Sequence, residues 1–185
     1  MPVIKTDKES IIRESIHLFK VHGYYNTTMA NIGDACGLIK GSIYHHFKSK
    51  EELALECLKY IHELFDEEIF SIAYTKSLSS RKKLNAFTKK VEEYFLNSEG
   101  GCLLGNFALE ISNNIPLLKE EIIDYFNDWE RAVYEILKPE LGEQLAREKA
   151  VQVVSGTQGS IMLMRLYGNP DAFKIQNRET INLLP

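Results

Sequence analysis

The segment Lys40-Gly41-Ser42-Ile43-Tyr44-His45-His46-Phe47-Lys48-Ser49-Lys50 gathers cations, hydroxyls and imidazoles in one short stretch. Such groups satisfy phosphate oxygens and the acceptor edges of bases. Read as a helix, the segment places Ile43 and Phe47, four apart, on a core-facing side. That leaves Lys40, Ser42, Tyr44, His45 and His46 for the DNA side, in a helix of the size that fits the major groove of B-DNA. Bond-breaking chemistry is not indicated: there is no nucleophile with a credible base and no phosphate-binding loop, so no enzyme activity is expected. Adjacent His45 and His46 have poor geometry for sharing a metal ion, and Cys36, Cys57 and Cys102 show no CxxC or metal-type spacing. No metal, cofactor or disulfide framework is expected.

The elements that position this segment are helical. Ile12, Ser15, Ile16 and Phe19 recur at i, i+3, i+4 and i+7 between Asp7 and His22, with Lys8, Glu9, Arg13, Glu14 and Lys20 on the remaining surface. Gly23 ends that helix. Thr28 is a good N-cap for a short helix carrying Met29, Ile32 and Ala35, and Gly37 stands where a tight turn needs a permissive backbone. A second short helix, Lys40 to Phe47, follows at once. Two short helices joined by a glycine-containing turn and braced by a preceding amphipathic helix form a helix-turn-helix arrangement. Ser49-Lys50-Glu51-Glu52 then reads as a capping box that opens a long helix to about Ile72.

Residues 75–82 form a polar linker, and further helices are expected near 81–97, 102–111, 116–138, 143–167 and 171–183. The breaks are Gly100-Gly101, Asn113-Asn114-Ile115-Pro116, Pro139 with Gly142, and Gly168-Asn169-Pro170, where Asn169 caps and Pro170 takes the first helical position. No strand-like alternation is long enough to build a sheet. The expected fold is all-α, with about nine helices.

The formal net charge of −4 over 185 residues hides a split. Residues 1–50 carry seven Lys/Arg against four acids, and residues 51–185 carry 15 against 22. A basic head suits a polyanion, and an acidic body is repelled by one. The expected division is 1–50 for nucleic acid and 51–185 for a second role. No apolar run approaches the roughly 18–20 residues of a membrane span, and the N-terminus lacks a signal-peptide core, so a cytoplasmic protein is expected.

The pattern Thr28-x-x-x-Ile32-Gly33-x-x-Cys36-Gly37-Leu38-x-x-Gly41-x-Ile43-Tyr44-x-His46-Phe47-x-Ser49-Lys50-Glu51-x-Leu53 resembles the N-terminal signature of the TetR family of bacterial transcriptional regulators. The resemblance covers roughly residues 5–55. It implies that Thr28 caps helix 2 and touches a phosphate, that Lys40 and Ser42 approach bases, and that Tyr44, His46 and Lys50 hold the backbone. Gly41 would allow close approach to the duplex, and His45 would contact base or phosphate. Gly33 and Cys36 stand where alanines are usual, and Ile39 stands where a serine commonly caps the recognition helix.

For the body, the family implies a homodimer that binds a palindromic DNA operator, most simply as a repressor, and is released by a small apolar or aromatic effector. The stretch from Val151 to Met164 is apolar nearly all round, so it is buried on more than one side, within one subunit or between two. In the dimer reading, Val151, Ser155, Gly156, Gly159, Ser160 and Leu163 face a partner. The effector pocket would be lined by Phe65, Ile69, Phe87, Val91, Tyr94, Cys102, Phe107, Trp129 and Thr157. Aromatic stripes at this spacing also suit a plain core. Gly101-Cys102-Leu103-Leu104-Gly105-Asn106-Phe107 resembles a stretch in family members that sense electrophiles, which adds a thiol-sensing alternative at Cys102. The remaining alternatives are a non-regulatory DNA-binding protein and an enzyme on the same fold.

Overall fold

A computed structural model describes residues 8–111 and 115–185. Asp7 at the expected start of the first helix, and Asn113 and Asn114 in an expected break, lie outside the described residues. Among the described residues the chain is all-α, with nine α-helices, one 3₁₀ turn and no strand. The helices group into two compact units.

The first unit runs to Ile61 and also takes in Leu103–Ile122. Its α1 (Lys8–His22) buries the expected stripe of Ile12, Ser15, Ile16 and Phe19. Lys20 departs from expectation, being buried. Helix α6 (Leu103–Ile111) covers the end of α1, with Phe107 edge-on to Phe19 at 5.5 Å and Asn106 donating to the Lys20 carbonyl at 3.5 Å. Helices α2 (Met29–Ala35) and α3 (Lys40–His46) form the helix-turn-helix around Gly37, whose φ of +66° is a left-handed conformation that glycine adopts without strain. A Cβ on Gly33 would stand 2.8 Å from the Leu38 carbonyl oxygen, which accounts for glycine where the helices approach closely. Helix α4 (Lys50–Glu68) begins in this unit and buries Leu53, Cys57 and Leu58.

The second unit comprises His62–Cys102 and Ile123–Pro185. Here α4 stops at Glu68, earlier than its periodicity suggests, and Phe70–Tyr74 forms the 3₁₀ turn. The tighter turn carries Phe70 into a cluster with Phe65, Tyr125 and Trp129, at ring separations of 5.7, 5.8 and 6.1 Å. Each such buried aromatic contributes roughly 1.5–3 kcal/mol from area alone, which outweighs one more turn of α-helix. Helix α5 (Ser80–Leu96) starts at Ser79, whose hydroxyl accepts from the Lys82 amide.

Helix α7 (Pro116–Leu141) passes through Pro139 instead of ending there. The proline sits in the last turn, where it removes one backbone bond, and the break falls at Gly142 with φ +76°. Helices α8 (Glu143–Tyr167) and α9 (Asp171–Ile181) pack on each other through Gly156, against which the Gln176 side chain lies. Pro170 is the N-cap of α9 and not its first helical residue, and Asn169 caps through the Asp171 amide at 3.1 Å.

Candidate nucleic-acid interface

Helix α3 is pinned by its apolar side. Ile43 and Phe47 are fully buried, which turns Lys40, Tyr44, His45 and His46 to solvent. Tyr44 is 43% exposed, and the Lys40 ammonium lies 5.8 Å from its ring centroid. Ser42 is half-buried. A Cβ at Gly41 would meet nothing within 4 Å, so the fold itself does not require glycine there. The helix begins at Ile39 with no side-chain cap. Helix α2, by contrast, carries a complete reciprocal box: Thr28 accepts from the Asn31 amide at 3.2 Å, and Asn31 accepts from the Thr28 amide at 3.0 Å. At α4 the Ser49 hydroxyl caps the Glu52 amide at 3.1 Å, but the Glu52 carboxylate accepts from Lys48 N–H at 2.6 Å instead of from Ser49.

Lys50 is placed differently from the solvent-facing residues of α3. Its ammonium donates to the Tyr24 and Thr27 carbonyls, at 2.9 and 3.1 Å, and lies 4.2 Å from the Tyr24 ring centroid. Burial lowers its pKa from the usual 10.5, against the opposing pull of Glu51 and Glu110. Lys50 is thus a staple of the α1–α2 turn. Glu110, which the sequence does not single out, holds the same turn from the other side, accepting from the Tyr24 and Tyr25 amides at 2.8 and 3.4 Å. Burial, with Glu51 and Tyr25 adding, pushes the Tyr24 phenol up from 10.0 to about 12. Glu110 lies more than 80 residues from these partners, which are main-chain amides, so no spacing or motif reveals it.

Residues 11–57 match the family model described as bacterial regulatory proteins, tetR family. Residues 81–179, more than half of the chain, match the C-terminal domain of LmrA/YxaF-like transcriptional regulators. The chain belongs to the TetR family. It is similar to the uncharacterized HTH-type transcriptional regulator YxaF of Bacillus subtilis (strain 168), 29% identical over 84% of this chain and 83% of the relative. It also resembles the HTH-type transcriptional repressor DhaR of Mycobacterium sp. (strain GP1), 24% identical over 88% of this chain and 84% of that one. In fold it superposes on a TetR transcriptional regulator from Legionella pneumophila with a TM-score of 0.89, both chains covered in full at 22% identity. As a TetR-family member the chain is a helix-turn-helix, DNA-binding transcriptional regulator and not an enzyme. Among the described residues no helix is long and apolar enough to cross a membrane.

The residues expected at the TetR effector pocket do not come together as one lining. Phe107 stands in the first unit, 5.5 Å from both Phe19 and Tyr24. Phe65 packs edge-on to Tyr94 at 4.7 Å within the aromatic cluster, and Ile69 and Cys102 are buried. Cys102 is 4% exposed, unlike the accessible thiols that oxidise readily. Phe87, Val91, Trp129 and Thr157 do converge, with Thr88 and Asn177, on a cavity of about 10 Å³, space for about one water molecule. Two buried polar atoms on that wall, Thr88 Oγ1 and Trp129 Nε1, have no hydrogen-bond partner among the described residues. The expected dimer residues also divide: Ser160 is buried, its hydroxyl donating to the Thr157 carbonyl at 2.8 Å, and Gly156 serves α9 of the same chain. Val151 and Ser155 are exposed on one face of α8, in line with Met162 and Leu166, which the sequence reading does not single out.

Proposed function

We propose that the protein is a homodimeric repressor acting in the cytoplasm, which binds a palindromic operator and leaves it when a small molecule enters the second unit. The observation that carries the DNA part is α3, where Ile43 and Phe47 are fully buried and Lys40, Tyr44, His45 and His46 are left in solvent. Gly41, a glycine the fold does not need, suits close approach of a phosphate backbone. Thr28, at the start of α2, and half-buried Ser42 complete the contact set. Lys50 supports it by holding the turn before α2.

Dimerisation is supported by Val151, Met162 and Leu166, apolar side chains in line with Ser155 on one face of α8 and left in water by the single chain. Two such modules would occupy successive major grooves about 34–36 Å apart. The effector part is supported by Thr88 and Trp129, whose unpaired atoms inside an apolar wall favour a partly apolar molecule with a hydrogen-bond acceptor. Entry of such a molecule would expand the cavity, and repression would be relieved to the extent that it favours the non-binding state. Helix α4, which starts at the DNA module, is the lever for that change.

The test is enrichment of a randomised duplex library by the full chain. Selection of an inverted repeat with half-site centres one helical turn apart supports the reading, and enrichment of no sequence overturns it. Trp129 is the only tryptophan, so effector entry reads out as a change in its emission that tracks loss of the duplex.

A further inference from the structure

Ile39 directly precedes α3 and is 77% exposed, with its backbone extended at φ −70° and ψ 149°. It covers no core and makes no cap. A serine, threonine, asparagine or aspartate there would satisfy a helix amide, so the position forgoes a favourable residue and leaves a branched hydrocarbon in water. Local choices that work against the isolated chain belong where a partner completes them. Here the surroundings name the partner. The next residue is Lys40, Tyr44 lies on the same solvent-facing side of α3, and Gly41 leaves open space beside them. The surface is continuous with the face that meets the duplex, and it is cationic where the duplex is anionic. In the major groove the hydrocarbon feature of a base edge is the C5-methyl group of thymine.

We propose that Ile39 is a specificity-determining residue that packs on a thymine methyl in each operator half-site, alongside the polar contacts of Lys40 and Tyr44. The inference rests on the operator reading above.

The experiment starts from the duplex that the full wild-type chain enriches. Each thymine is replaced singly by deoxyuridine, which deletes the methyl and keeps the pairing edge, and affinities are measured for wild type, Ile39→Ser and Ile39→Val. Wild type loses about fourfold at one thymine per half-site, the factor expected for one buried methyl-sized group. Ile39→Val keeps that penalty. Ile39→Ser shows none at that position while melting no lower than wild type, because serine restores the cap; a residue serving only the fold would not give that combination. If no thymine carries a penalty that Ile39→Ser removes, the inference is overturned and the operator reading stands. If the wild-type chain enriches no sequence, both fall together.

Discussion

Lys50 and Tyr44 lie in one short stretch of sequence, yet their removal should be felt in different experiments. Lys50→Met deletes two hydrogen bonds from an ammonium to the Tyr24 and Thr27 carbonyls and a contact with the Tyr24 ring. We expect it to cost about 1–3 kcal/mol of stability, seen as a lower Tm, with DNA binding lost as a consequence. Tyr44→Ala touches an exposed ring and should leave Tm unchanged while DNA binding falls. The phenol of Tyr24 gives a third test. Its pKa rises to about 12 in the folded chain, so the folded state keeps a proton that the unfolded state releases near 10. The stability this contributes is fully present below pH 10 and is lost between about pH 10 and pH 12. Denaturation against pH should show that alkaline loss reduced in Tyr24→Phe relative to wild type. The solvent-facing side of α3 is legible from spacing alone, because Ile43 and Phe47 fix which way the helix lies. The role of Lys50 is not, because its partners are backbone carbonyls more than 20 residues away and carbonyls leave no mark in a sequence.

At the scale of elements, helix starts are readable where a side chain does the capping. Thr28, Ser49 and Ser79 each accept from an amide three residues on, as their residue types suggest. The end of α4 and the passage of α7 through Pro139 are not readable in this way. The first depends on Phe70 joining rings contributed by distant helices, and the second on how near the proline lies to an end set by Gly142. Helix α6 adds a link that no local rule contains, since Glu110 closes the turn between α1 and α2. Glu110→Ala would leave the Tyr24 amide without its acceptor and should destabilise the first unit by about 1–3 kcal/mol. Hydrogen exchange checks this directly: the Tyr24 and Tyr25 amides should lose protection in the variant, and unchanged protection would show that Glu110 does not hold the turn.

At the scale of the whole molecule, composition and periodicity suffice for an all-α chain, and the charge split marks the basic head as the part suited to a polyanion, but it does not show that the first unit runs on to Ile61 and takes in Leu103–Ile122. Aromatic spacing establishes that Phe65, Phe87, Trp129 and Phe107 are buried, but not that Phe107 belongs to a different unit from the other three. That assignment depends on the chain returning to the first unit at Leu103. Likewise an apolar α8 leaves its two sides undecided until α9 lies against Gly156 and Val151 and Met162 are left in water. Met162 is 56% exposed, so Met162→Glu should fold normally and yet sediment as a monomer with weakened operator binding.

Whether the outer side of α3 reads DNA is decided by the affinities of wild type and Tyr44→Ala for the enriched inverted repeat and for a scrambled duplex at one salt concentration. Wild type should prefer the repeat by at least about 10³-fold, as specific binding generally does, and Tyr44→Ala should lose most of this preference with its Tm intact. Equal affinity of the wild-type chain for both duplexes, or an undiminished preference in Tyr44→Ala, would contradict it.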